Sequence, residues 1–141
     1  GDARHAIQDF DSALDLDPNY AEAYNSRGYT YYQVGALTRA IHDYDRAIAL
    51  NPNYTEAYNN RGVTHFVAHE LEKAIPDFDK AIELDPKHAD AYAFRGLISV
   101  QTGDNGQAIQ SLERFLQLAP NTPIREKVEN LLDRLKDIEQ T

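Results

Sequence analysis

Apolar and small residues recur along this chain at helical spacing, in stretches that come in pairs. From Ala21, the residues Tyr24, Gly28 and Tyr31 fall on one helical face. Gly35 then interrupts the pattern and is suited to stop a helix. From Leu37, the residues Ala40, Ile41, Tyr44, Ala47 and Ile48 mark one face of a second helix. Pro52 follows, where a helix cannot continue. Gly28 opposite Ala40 or Ala47 would let the two backbones approach closely, with Tyr24, Tyr44 and Leu50 filling the space around them.

This pair repeats. Pro18, Pro52, Pro86 and Pro120 stand 34 residues apart, and the columns between them agree. Tyr24, Tyr58 and Tyr92 match, as do Arg27-Gly28, Arg61-Gly62 and Arg95-Gly96. So do Ala40, Ala74 and Ala108, and then Tyr44, Phe78 and Leu112. Residues 1–20 join with a second helix only, through Ala6-Ile7, Phe10, Ala13 and Leu16. After Pro120, the residues Ile124, Val128, Leu131, Leu132 and Leu135 form an apolar face opposite Glu126, Glu129, Asp133 and Lys136. That is the pattern of a capping helix, because the last unit of a stacked array must meet water. Fixed-period self-similarity marks such an array. The expected fold is therefore all-α, with about eight helices in one repeat domain. Its parts are a partial unit (1–20), three full units (21–54, 55–88 and 89–122) and a C-terminal capping helix (123–141). A second helix without its first, and the lack of an initiator methionine, suggest part of a longer protein.

The run A-E-A-Y-N-S-R-G-Y-T-Y-Y…G…A-I…Y…A-I-x-L-N-P, recurring twice more, resembles the tetratricopeptide repeat family over roughly residues 1–120. The third unit departs most: Ser99 stands where the first unit has Tyr31, and Phe115 replaces a small residue. Arginine precedes the glycine in every unit, a version that looks prokaryotic. The resemblance implies a right-handed superhelical solenoid of antiparallel helix pairs that binds proteins. It further implies that first helices line a concave groove. The inward columns would be Glu22/Glu56/Asp90, Asn25/Asn59/Ala93, Tyr29/Val63/Leu97 and Tyr32/Phe66/Val100, with Asn60 beside them. Some members of the family grip a C-terminal carboxylate with lysine and arginine at these columns. None stands there in this chain.

Composition narrows the chemistry. The net charge is −9, from 23 acidic and 14 basic residues. That argues against nucleic acid, whose affinity depends on Lys and Arg meeting phosphate. No segment is apolar over the length needed to span a bilayer. Zero cysteines exclude disulfides and thiolate chemistry. There is no phosphate loop, G-x-S-x-G or H-E-x-x-H. His65 and His69 are four apart, but His69 falls in the Gly35 turn column and no third metal ligand is evident. Asp43/Asp45 and Asp77/Asp79 recur with the repeat, which speaks for structure rather than a catalytic pair. The expectation is a non-enzymatic chain with no catalytic residue, metal or cofactor. Nothing indicates a compartment, so the cytoplasm is the default.

The expected function is a protein-interaction scaffold. Apolar anchors would come from Tyr29, Tyr32, Val63, Phe66, Leu97 and Val100. Asn25, Asn59 and Asn60 could serve the backbone of a bound peptide. The acidic columns favour a neutral or basic ligand over an acidic one. The rival reading is self-association, a homo-oligomer formed through the unpaired N-terminal helix. The arginines, beside glycines on the packing face, need acidic partners. Pairing each with the preceding unit gives Arg27–Asp9, Arg61–Asp43 and Arg95–Asp77, with no carboxylate left over.

Overall fold

The computed structural model describes residues 1–141. It contains eight α-helices and no strand: α1 (Asp2–Leu16), α2 (Ala21–Gln33), α3 (Leu37–Leu50), α4 (Thr55–Val67), α5 (Leu71–Leu84), α6 (Ala89–Thr102), α7 (Asn105–Leu118) and α8 (Arg125–Glu139).

Two recurring local devices set these boundaries. The first helix of each pair ends on a residue in the left-handed conformation: Gly35 (φ 78°), His69 (φ 60°) and Gly103 (φ 80°). The next N–H then folds back onto the last turn: Ala36 N to Tyr31 O, Glu70 N to His65 O and Asp104 N to Ser99 O, each 2.9 Å. This is the Schellman closure, in which glycine is favoured because it lacks a Cβ. His69 fills the same position with a side chain, which takes it off α4 and breaks the helical spacing to His65. The second helices before Pro18, Pro52 and Pro86 stop on an Asp or Asn whose carboxylate or amide oxygen catches a later N–H; α7, before Pro120, stops on Ala119 instead. The bonds are Asn19 N to Asp17 Oδ1 (3.0 Å), Asn53 N to Asn51 Oδ1 (3.2 Å) and Lys87 N to Asp85 Oδ1 (3.1 Å). A short side chain that bonds the backbone two residues on makes a turn, and the proline bars further helix.

Helix α5 runs unbroken through Pro76. The proline sits in the second turn, past the first-turn donors that lack a helical partner, so it removes one ladder bond. Its ring is exposed. Pro76→Ala is expected to stabilise the chain by about 1–3 kcal/mol, read as a higher urea midpoint at equal helicity. A lower midpoint would mean that the proline acts mainly by restricting the unfolded chain.

The helices group into two compact units, Gly1–Lys80 and Ala81–Thr141, with the division inside α5. In the first, α1 packs on α2, α2 on α3 and α3 on α4, and α2 also reaches α4. The arginine-glycine columns lie where helices of a pair press together. A Cβ on Gly28 would meet the Tyr44 ring at 2.9 Å and the Ala40 carbonyl at 3.2 Å. One on Gly62 would meet the Phe78 ring at 3.0 Å. The side chains of Tyr44 and Phe78 are fully buried as a result. In the second unit, α6 packs on α7 and α7 on α8. Tyr92, Leu112, Phe115 and Leu116 meet Val128, Leu132 and Leu135 of α8 in one core. Lys136 Nζ reaches Glu113 Oε1 at 2.7 Å across the same seam. Leu131 is half-buried, and Ile124 precedes the helix as an exposed N-cap rather than joining its apolar face.

Candidate peptide-binding face

In the first unit, α2 and α4 present the residues expected to line a groove. Tyr29 is 46 % exposed, and its ring stacks on that of half-buried Tyr32 with centroids 6.2 Å apart. Spacing of three places both rings on one side of α2. Val63 and Phe66 are half-buried on α4. Leu97, 40 % exposed, and Val100, half-buried, lie on α6 in the second unit.

The amides are arranged differently from an open polar row. Asn25 and Asn59 are buried. Asn60 Nδ2 donates to Asn25 Oδ1 at 3.1 Å, which ties α4 to α2. The side-chain amide oxygen of Asn59, Oδ1, is buried without a hydrogen-bond partner. Two of the three amides thus serve the helix–helix seam, because their columns turn inward where the first helices touch. Spacing alone did not single out Tyr54, just before α4. Burial raises its phenol above the ordinary value, the carboxylates of Glu56 and Glu22 push the same way, and Asn25 opposes through a hydrogen bond. The rim of this face is therefore acidic. Beside it, burial raises the Tyr44 phenol, and Tyr29 and Tyr32 lie close enough to add to the effect.

At the far end of α4, His65 Nδ1 is buried, without a hydrogen bond and 3.8 Å from Glu70 Oε2. Glu70 is paired with Lys73. Burial holds the imidazole below its ordinary value.

The arginine columns form a ladder with a different register from the expected one. Arg27 grips Asp43 with two parallel bonds, Nε to Oδ2 at 2.8 Å and Nη2 to Oδ1 at 2.7 Å. Its third bond, Nη1 to Asp11 Oδ1 at 2.7 Å, goes to the preceding unit. Arg61 repeats this with Asp77 (3.0 and 2.6 Å) and Asp45 (2.8 Å). The expected pairs Arg27–Asp9 and Arg61–Asp43 are thus corrected. Asp43 and Asp77 are nearly fully buried against the first helix of their own unit, so that helix supplies their cation. The link to the preceding unit uses the carboxylate two residues further on, Asp11 or Asp45. Within the second unit Arg95 Nε donates to Ser111 Oγ at 3.0 Å. Each guanidinium also lies over the tyrosine three residues earlier, at 5.6 Å for Tyr24, 5.7 Å for Tyr58 and 5.3 Å for Tyr92. This stacking adds cation–π attraction to the ion pairs. The hydrogen bonds to Asp43 raise the Arg27 guanidinium above its ordinary value, with burial opposing. For Arg61 burial works against the charge, yet the bonds to Asp77 and Asp45 prevail.

Comparison with known proteins agrees with this architecture. A tetratricopeptide repeat profile matches residues 64–133, and a second profile, described as TPR repeat, matches residues 1–35 and 28–66. No curated protein sequence matches significantly. Among solved structures, one of the protein MamA superposes with a TM-score of 0.82 at 28 % identity, over 99 % of this chain and 80 % of that one. A second structure of MamA gives 0.79 at 25 % identity, over 99 % and 90 %. The first TPR of Spaghetti (RPAP3), bound to the HSP90 peptide SRMEEVD, gives 0.77 at 23 % identity, over 86 % and 94 %. The two profiles together follow the repeated helix pairs from residue 1 to residue 133, and the chain belongs to the tetratricopeptide repeat family, as an all-α solenoid.

Proposed function

We propose that this chain is a non-enzymatic scaffold that binds a peptide or helix with apolar anchors on the face formed by α2 and α4. The family's fold is a protein-interaction architecture. The observation that carries the finer reading is the stacked pair Tyr29–Tyr32, with Tyr29 nearly half-exposed at a rim bearing Glu22 and Glu56. Exposed aromatics grouped on one surface favour a partner that covers them. The acidic rim favours a neutral or basic ligand. An acidic peptide, such as the one held by the RPAP3 repeat, would meet like charge here and find no lysine or arginine in the inward columns.

The test is a selection of displayed peptides against the intact chain, followed by affinity measurement on variants. Tyr29→Ala with Tyr32→Ala is expected to weaken the selected peptides by about 2 kcal/mol or more, at unchanged helicity. Selected peptides should be poor in Asp and Glu. Full affinity in the folded double variant would move the site elsewhere.

A further inference from the structure

Two arginines of α3 are held in place without a carboxylate. Tyr24 and Tyr31, two turns apart on α2, lie across that helix from Tyr29. Their rings alternate with three guanidinium groups. Arg46 lies over Tyr24, with its guanidinium carbon 5.6 Å from the ring centroid, and Arg39 lies over Tyr31 at 5.7 Å. Arg27 stands between them, 5.6 Å from Tyr24 and 6.0 Å from Tyr31. The full array belongs to the first complete unit alone. In the same columns the second unit has His65, Lys73 and Lys80, and the third has Ser99 and Gln107. Features that recur with the period serve the stack, and this one does not recur.

The three arginines differ in one respect. The donors of Arg27 are taken by Asp43 and Asp11. Arg39 and Arg46 are exposed and stacked in the same way, yet no oxygen of the chain receives their N–H groups. An arginine already ordered over a ring loses less freedom when it takes a carboxylate. Exposed His42 lies between the two on α3, and exposed Asp11 and Asp45 next to the array are paired with Arg27 and Arg61.

We infer that Arg39 and Arg46 form a docking edge for an acidic helix of a partner protein, whose two carboxylates stand seven residues apart. Arg39 and Arg46 are themselves seven apart, about 10.5 Å along α3, and a second helix repeats a side chain at that rise on one face. Each carboxylate would be taken as Arg27 takes Asp43, through two parallel bonds. Charge complementarity selects discrete carboxylates over a polyanion. With a net charge of −9, and with Asp11 and Asp45 beside the two arginines, the chain repels a phosphate backbone or an anionic membrane. The edge is complete within residues 24–46, and it takes the opposite charge to the face proposed above.

The probe is a stapled helical peptide of alanine and glutamine with two glutamates seven residues apart, titrated into the intact chain. Stapling keeps so short a helix formed. Binding is read from the magnetic resonance signals of the arginine Nε–H groups. Those of Arg39 and Arg46 are expected to shift together along one saturating curve. An isomeric peptide with its glutamates five apart, on different sides of the helix, should bind at least fivefold more weakly. Arg39→Lys with Arg46→Lys keeps the charge and should also weaken binding at least fivefold, because lysine lacks the planar fork. Both arginines are exposed, so the variant should keep its circular dichroism. Tyr29→Ala with Tyr32→Ala should leave this binding intact, which separates the edge from the peptide face. No saturation at millimolar peptide, or equal affinity for the two isomers, would overturn the inference. So would full affinity in the lysine variant, which would mean attraction to positive charge alone. Arginine-dependent binding to phosphatidylserine vesicles that exceeds binding to the peptide would overturn it in favour of a membrane surface.

Discussion

Arg27→Met is expected to destabilise the first compact unit by about 3–5 kcal/mol, because it leaves a buried carboxylate without its cation. The Asp43 side chain is 1 % exposed and receives both parallel bonds from Arg27. Methionine keeps much of the stem's packing, so the loss reports the uncompensated charge. The ladder offers its own control. Asp11→Asn removes the other partner, which is 51 % exposed. Exposed pairs are worth under about 1 kcal/mol, so this change should be nearly silent. Urea denaturation of both variants decides the matter. Equal, small losses would show that Asp43 gains enough water in the native state to stand alone.

The second large effect lies in the second compact unit, where Gly96 presses on Leu112. A Cβ at Gly96 would stand 2.7 Å from Leu112 Cδ2 and 2.8 Å from its Cγ, closer than carbon atoms approach. Leu112 is 2 % exposed at the centre of the α6–α7–α8 core, so its side chain has little room to move. Gly96→Ala is expected to cost about 1–3 kcal/mol net of alanine's better helix propensity. Leu112→Ala alone should cost about 2–5 kcal/mol, as a cavity in a packed core. The double variant should cost clearly less than the sum, because the new methyl enters the space that the leucine vacates. Additivity within about 0.5 kcal/mol would show that the two sites do not share that volume.

These cases show what the residues disclosed in advance. Helix number, pairing and turn positions were legible because they rest on period and on proline and glycine, which act locally. Depth was not legible. Asp9/Asp43/Asp77 and Asp11/Asp45/Asp79 are two columns with the same period, two residues apart on one helix. Periodicity says that members of a column are equivalent, but not which column faces the helix of its own unit. Counting carboxylates at the chain ends therefore selected Asp9, where the guanidinium meets Asp11. The amides failed in the same way. Asn25 and Asn60 share a polar character that suits a ligand or a neighbouring helix equally, and their mutual bond engages the Asn25 oxygen at the seam. Tyr29 and Tyr32 came from the family's groove columns, and the stacking of their rings was not visible in the spacing.

The ladder of Arg27 and Arg61 carries a mechanical consequence. Each guanidinium holds its own helix pair through a buried, two-pronged grip and the previous pair through a single exposed contact. Dissolved ions screen charges exposed to water far more than charges sealed from it. Within residues 1–80, added salt therefore slackens the coupling between consecutive helix pairs while each pair keeps its own internal clasp. The stack behaves as rigid links joined by ionic springs, and its elasticity follows the ionic strength of its surroundings.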